Sequence, residues 1–353
     1  MVGAAPDRVL SVTTQRNEGP YLLEWLAWHR LLGVTDFLIF SNDCEDGSDR
    51  LLDLLAGHGV VTHLPNRPLE GRSVQWSALD QAWRHPARKA ADWMLISDLD
   101  EFPVIRTGAG RISDLLAALP DGAEAIALGW RLFGANGIAQ INDTPVTAQF
   151  TRSAPPEMIH PIAGTFFKSL FRPASFARPG VHRPRHRKDS APLWVDGSGR
   201  FLPPLVAAND KRLSLLGVTD SRNLAEMHHY SLRSAQSFLI KSERGLPNRA
   251  DKPVDLGYWV ARNFNTEQNT AALRMQPALQ DEMAALKALP GVAEAHGQTL
   301  HWHQHRADQI CRSSAGYDLF CKLLLAADSA VPTMQRQRQL LAMFQAIEAD
   351  AAS

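Results

Sequence analysis

The residues best suited to chemistry are Asp98, Asp100 and Glu101, which close the run Trp93-Met94-Leu95-Ile96-Ser97-Asp98-Leu99-Asp100-Glu101-Phe102. An apolar segment of strand length that stops in an Asp-x-Asp pair brings hard oxygen ligands to the edge of a sheet. Mg2+ and Mn2+ prefer such oxygens and commonly share their coordination shell with phosphate. The pattern suits a divalent cation that holds a diphosphate. Taken alone, Asp-x-Asp also fits a solvated acidic turn after a strand.

The elements that would position this pair are legible upstream. Val9 to Thr14 reads as a strand, and Pro20 to Leu32 as a helix with Pro20 in its first turn and Gly33 at its C-terminal end. Leu22, Leu23, Leu26, Ala27, Leu31 and Leu32 form its apolar stripe. Phe37 to Phe40 is a second strand, Ser48 to Ala56 a second helix, and Val60 to Leu64 a third strand. Ser73 to Ala90 is a third helix, and Trp93 to Ser97 a fourth strand. Strands alternating with helices predict crossover units and a mainly parallel α/β sheet, and such sheets bind ligands at the carboxyl ends of their strands. Three polar clusters fall at those ends: Gln15 to Gly19, Ser41 to Ser48, and Asp98 to Glu101. Asp46 or Ser48 equally suits a cap for the helix that follows. Trp25, Trp28 and Trp76 are expected in the core or a pocket wall.

The bulk numbers are those of an ordinary globular protein. The 353 residues are 45% hydrophobic and 21% charged, and 37 basic residues balance 37 acidic ones. A formal net charge of zero argues against a mainly electrostatic nucleic-acid binder. Cys44, Cys311 and Cys321 have no metal-ligand spacing, and their odd number argues against a disulfide framework, so a reduced, cytoplasmic setting is expected. Met1 to Arg8 lacks the pattern of a secretory signal, and no apolar run approaches the roughly 20 residues of a spanning helix. Beyond about residue 135 the pattern loosens into turn-rich segments, with a basic cluster at Arg183, Arg185, His186, Arg187 and Lys188. That cluster suits an anionic acceptor, membrane phosphates or a solvated loop. After Asp281 the chain is Ala- and Leu-rich at helical spacing, and His301, His303 and His305 there read as a surface cluster.

Taken in order, Arg16-Asn17-Glu18-Gly19, Glu24-Trp25-Leu26-Ala27-Trp28-His29, Ser41-Asn42-Asp43-Cys44 with Asp46-Gly47, and Asp98-Leu99-Asp100-Glu101 resemble the glycosyltransferase family 2-like proteins of bacteria, which are akin to glycosyltransferase family 92. The resemblance continues through Trp130-Arg131-Leu132-Phe133-Gly134, His228-His229-Tyr230 with Ser234, and Lys241 with Arg244-Gly245, and so covers about residues 8 to 250. It implies a GT-A-like (Rossmann-like) catalytic domain over 1–250, with a nucleotide-binding half at 1–134 and an acceptor and metal-completing half at 135–250. A mostly helical extension over 251–353 would follow. By position, Asn17 and Glu18 would line the nucleotide pocket, Asp46 would lie near the base or ribose, and Asp98 would face the ribose side. Gln75 joins the same nucleotide-sugar-binding set. Asp100 and His229 would bind Mn2+ or Mg2+, with His228 the alternative ligand.

The implied activity is metal-dependent transfer of a sugar from a nucleoside diphosphate donor, a UDP-sugar, to a saccharide or lipid-linked acceptor with inversion. The setting would be cytoplasmic, with any membrane association peripheral to the inner face. Arg16, Lys168, Arg172, Arg183, Lys241 and Arg244 are the available cations for the leaving diphosphate, Lys241 and Arg244 foremost. An inverting enzyme needs a base for the acceptor hydroxyl. The Glu-Asp pair of typical family 2 enzymes has no clear counterpart, which leaves Glu157, His182, Asp189 and Asp196 as candidates, with Asp196 in the leading place. A metal-dependent phosphohydrolase would need an acid after the first strand, where Thr13 to Asn17 supplies none, and a non-catalytic carbohydrate- or nucleotide-binding protein would not need the carboxylates. A Rossmann dehydrogenase lacks its Gly-x-Gly-x-x-Gly.

Overall fold

The computed structural model describes residues 7–67, 73–245 and 253–352, with side chains through 347. The domain boundary expected at 250/251 lies outside the described residues.

β1 (Val9–Gln15), β2 (Asp36–Ser41), β3 (Thr62–Pro65) and β4 (Trp93–Ile96) are parallel, in the order β3-β2-β1-β4. α1 (Gly19–Leu31), α2 (Ser48–Gly57) and α3 (Val74–Arg84) make the crossovers. The helix expected to run from Ser73 to Ala90 is broken into α3 and a short helix at Pro86–Ala90, because His85 is extended before Pro86, where the ring disfavours helical backbone. Period-two alternation feeds two cores. Leu10, Val12, Leu38 and Phe40 pack with Ala78, Leu79 and Ala82 of α3, whereas Val9, Phe37 and Ile39 pack with Leu22, Trp25, Leu26 and Trp28 of α1.

Past β4 the sheet becomes mixed. β5 (Glu101–Ile105), β6 (Ala125–Leu132), β7 (Phe167–Phe171), β8 (Trp194–Asp196) and β9 (Ala225–His229) complete the order as β4-β7-β6-β9-β5, with β8 beside the start of β6. β7 runs antiparallel to both β4 and β6, so β6 points the same way as β4. β9 is parallel to β6. The carboxyl end of β9 therefore arrives at the same sheet edge as those of β1, β2 and β4, although some 130 residues of chain separate it from β4.

α4 (Ala235–Arg244) follows β9, and the C-terminal helices are α5 (Gln276–Lys287), α6 (Val292–Cys311), α7 (Ser314–Leu325) and α8 (Met334–Ala352). α5 and α6 pack on α1, and α6 also meets α2 and α4, so the C-terminal helices lie against the helices that start at the site edge. Among the described residues no helix is long and apolar enough to cross a membrane.

Candidate functional site

The site begins where β4 ends. Trp25 Nε1 donates to the Asp98 carbonyl and Glu101 Oε2 accepts from the Asp98 amide, which fixes the turn that carries both aspartates. Asp98 is partly exposed; Gln75 Nε2 donates to its Oδ1 at 3.1 Å and Lys168 Nζ to its Oδ2 at 3.0 Å. Lys168, on β7, is fully buried and also lies 3.1 Å from the buried Glu101. Burial, reinforced by the charges on Asp98 and Asp100, pushes the Glu101 carboxyl up to about 8 against the pull of Lys168.

Asp100 faces the other way, toward the late strands. The register of β9 on β5 pairs His229 with Glu101, and the Tyr230 amide donates to the Asp100 carbonyl at 2.8 Å. Alternation along β9 then separates the two histidines. His229 Nε2 lies 3.5 Å from Asp100 Oδ1, while His228 turns into the core between Glu226 and Tyr230. Of the two candidate ligands, His229 is the one the fold brings to Asp100. Lys241 Nζ donates to Asp100 Oδ2 at 2.8 Å and to the Ser231 carbonyl at 2.8 Å. Burial opposes ionisation of Asp100, yet Lys241 and His229 hold its carboxyl well below the usual range. Trp130 walls this corner, its ring 4.0 Å from His229 and 5.1 Å from His182 between centroids.

The end of β1 supplies the next wall. Glu18 is buried and salt-bridged to Arg233 at 2.5 Å and to Arg244, which lower its carboxyl against the cost of burial. Arg244 also donates to the Arg16 carbonyl at 2.5 Å. Asn17, at φ 51°, accepts from the Glu45 amide and so ties the β1 loop to the β2 loop. The Arg16 guanidinium has no ion pair among the described residues. Arg233, a residue the motifs did not single out, sits at φ 56° with its guanidinium 3.4 Å from the Tyr21 ring and bonded to the Leu99 carbonyl. A left-handed non-glycine residue costs on the order of 1 kcal/mol or more and is kept where its surroundings over-determine it.

Several expectations are corrected. Asp46, expected near the base or ribose, has its carboxylate fully buried and accepting from the amides of Gly19 and Ser48 and from His303 Nε2 at 3.0 Å. It locks the start of α1 to the start of α2, whose N-cap position is Gly47 rather than Asp46 or Ser48. His303 is accordingly no surface residue; only His301 and His305 of that trio are exposed. Asp196 is buried in a tight turn, accepting from the amides of Ser198 and Arg200 and from the Arg200 guanidinium. It lies beside Ala127, well before the carboxyl end of β6, and has no open oxygen for an acceptor. Arg183 is buried against Trp194 and bonded to the carbonyls of Val206 and Ala207, so it is a structural cation. Arg172 stacks on Trp93 at 4.5 Å. Trp25 and Trp28 are buried, but Trp76 is 40% exposed beside Gln75.

Of the remaining base candidates, Glu157 and Asp189 are exposed and share no hydrogen bond or ion pair with the site among the described residues. His182 does reach it: Nδ1–H donates to the Phe167 carbonyl, which leaves the lone pair on Nε2, and the ring feels the charges of Lys168, Asp98 and His229.

Asp100 and His229 together offer an oxygen and an imidazole nitrogen, a set that Mn2+ accepts. Among the described residues no third carboxylate, histidine or cysteine joins them, so further ligands would have to come from phosphate or water. Within that limit the residues fit a cation held jointly with a diphosphate, with Lys241 already on one oxygen of Asp100.

The mostly parallel sheet flanked by helices, with a carboxylate pair at its carboxyl edge, is the architecture that the resemblance implied. The family model for glycosyltransferase family 92 matches residues 9–196, more than half of the chain, and the chain belongs to that family. Glycosyltransferase family 92 proteins of Ricinus communis and Arabidopsis thaliana are 25% and 27% identical over 42% and 44% of this chain. The chain spans about a quarter of the length of these curated relatives, 27% in each case. Among solved structures, TarS 1-349 of S. aureus has a TM-score of 0.33 at 12% identity, covering 86% of this chain and 91% of that one. Glucosyl-3-phosphoglycerate synthase from Mycobacterium tuberculosis, in complex with Mn2+, UDP and glucosyl-3-phosphoglycerate, has a TM-score of 0.24 at 17% identity, covering 35% and 44%. At these scores the two likenesses support no residue-level transfer.

Proposed function

We propose that this chain transfers a sugar from a nucleoside diphosphate donor, a UDP-sugar, to a saccharide or lipid-linked acceptor, with inversion. The observation that carries the reading is the convergence of Asp98, Asp100 and His229 at one sheet edge, ringed by Lys168, Arg233, Lys241 and Arg244. Asp98, oriented by Gln75 and Lys168, faces the nucleoside. Asp100 and His229 would hold Mn2+ or Mg2+, which when bound would supply Lewis-acid stabilisation to the departing diphosphate. Arg16, Lys241 and Arg244 bring fixed positive charge to the same developing charge. Asn17 and Glu18 set the shape of the loop that meets the donor.

His182 takes the place of Asp196 as the base for the acceptor hydroxyl. With Nδ1–H held by the Phe167 carbonyl, Nε2 carries the lone pair that would meet the incoming hydroxyl, although burial and the charge of Lys168 push its pKa down to about 3 and make it a weak base until an anionic ligand offsets that charge. Trp130 and Phe166 flank it and would exclude water from that side. Residues 1–250 form the catalytic unit, and 251–353 act as a helical support that reaches the site edge through His303. A cytoplasmic setting with peripheral contact to the membrane's inner face accords with a lipid-linked acceptor.

The test is UDP release from a panel of UDP-sugars with Mn2+ or Mg2+, with and without simple saccharide acceptors. Release that depends on metal, rises with an acceptor and is lost in Asp100→Ala is the expected result. A folded wild-type protein that releases no UDP from any donor would contradict the reading.

A further inference from the structure

Lys241 occupies the position from which it must be dislodged, or at least loosened, before a cation can use Asp100 fully. Its Nζ sits 2.8 Å from Asp100 Oδ2 and 2.8 Å from the Ser231 carbonyl, while Asp100 Oδ1 is the oxygen turned toward His229. The side chain is 12% exposed and its helix is anchored: Phe238, Leu239 and Ile240, the three residues before it on α4, are buried, and the helix ends four residues on at Gly245, φ 73°. The cations nearby are committed elsewhere. Arg233 and Arg244 pair with Glu18, and Lys168 pairs with Asp98 and Glu101. Each carboxylate at the edge therefore already has a cationic partner drawn from β7 or from the chain after β9.

A divalent ion added alone would enter beside an ammonium group that shares its only carboxylate. A nucleoside diphosphate changes that balance, since its phosphate oxygens give Nζ a new partner and the cation extra ligands at once.

We propose that Lys241 is a resident counter-ion that competes with the divalent cation for Asp100, so that cation and nucleoside diphosphate bind as a coupled pair and the cation alone binds weakly. The proposal rests on the reading above in which Asp100 and His229 hold the cation. Coupling of this kind is reciprocal: whatever factor UDP adds to Mn2+ affinity, Mn2+ adds to UDP affinity.

The experiment is a Mn2+ titration followed by the electron paramagnetic resonance signal of free Mn2+, on wild type, Lys241→Met and Lys241→Arg, each with and without UDP. Thermal unfolding checks that each variant is folded, and Lys241→Gln replaces the Met variant if that one is not. Without UDP, Lys241→Met should bind Mn2+ at least about tenfold more tightly than wild type, the ratio expected from removing one charged hydrogen bond at Asp100. Lys241→Arg should stay as weak as wild type, and the enhancement by UDP should shrink in the Met variant alone. Equal or weaker Mn2+ affinity in Lys241→Met, with UDP still enhancing binding to wild type, overturns the competition and leaves the cation site standing. Failure of every form to bind Mn2+ even with UDP overturns the cation site itself, and this proposal with it.

Discussion

The two aspartates of the site edge and Asp196 are carboxylates at the ends of strands, and they are satisfied in opposite ways. Asp196 draws everything from a turn of five residues: two amides and the guanidinium of Arg200, an i,i+4 partner. Asp98 is paired with Lys168, 70 residues away, and Asp100 with Lys241, 141 residues away. Glu18 beside them reaches Arg233 and Arg244 over separations of 215 and 226 residues. A locally closed carboxylate makes a turn and nothing more, because none of its lone pairs is left for a ligand. A carboxylate closed by distant lysines is held by side chains that a charged ligand can compete for. The difference between the regions lies in where the neutralising charge comes from, since Asp196 and Asp100 are both buried.

The largest effect is expected where the distant partner is itself most deeply buried. Lys168→Met takes the charged donor from Asp98 and from the fully buried Glu101, and because Glu101 is pushed up to about 8 and Asp98 is partly exposed the cost is that of lost buried hydrogen bonds, about 1–3 kcal/mol. Urea unfolding should show that loss, and Lys168→Met combined with Glu101→Gln should recover part of it. A Lys168→Met protein as stable as wild type would break the contrast, by showing the edge to be as indifferent to its distant partners as a surface pair. Arg200→Ala is the matching change in the turn, and with Arg200 exposed it should cost only about 0–1 kcal/mol.

The adjacent histidines sharpen the comparison at finer scale. His229→Ala should weaken Mn2+ binding in the presence of UDP by about 10-fold or more. His228→Ala should cost stability and leave Mn2+ binding by the folded protein unchanged, because it takes a hydrogen-bond partner from the buried Glu226 while touching nothing at the edge. Equal effects of the two changes on Mn2+ binding would dissolve the distinction that strand alternation draws.

A smaller effect separates the core beneath the edge from the edge itself. His29 is buried against Trp25, donates Nδ1–H to the Trp25 carbonyl, and has its pKa pushed down to about 3 by burial. The folded state therefore refuses a proton that the unfolded chain takes up near 6.5, so stability is complete above that pH and is lost as pH falls toward 3. In His29→Leu the decline over that window should be shallower, as read by thermal unfolding at a series of pH values. An unchanged decline would assign the acid sensitivity to other groups, the edge carboxylates among them.

The first four strands, their helices and the edge that carries Asp98 and Asp100 were legible because each rests on local pattern: apolar period, turn residues and the abrupt polar stop. His229 was reachable only through the ordered motifs, and the choice between it and His228 needed the register of β9 on β5. Arg233, Lys168 as the partner of Asp98, and His303 as the partner of Asp46 were not legible, since no spacing announces a contact across 70 to 257 residues. Asp196 misled for the converse reason. Its Asp-Gly-Ser-Gly setting is conspicuous in sequence because it makes a tight turn, and that same turn uses up the carboxylate.

The most direct test of the edge as a donor site is calorimetric titration of UDP, with and without Mn2+, into wild type, Asp100→Ala and Asp196→Ala. The expected result is Mn2+-dependent binding in wild type and in folded Asp196→Ala, reduced by about 100-fold or more in Asp100→Ala. UDP binding that is unaffected by Asp100→Ala, or lost equally in Asp196→Ala while that variant remains folded, would contradict it.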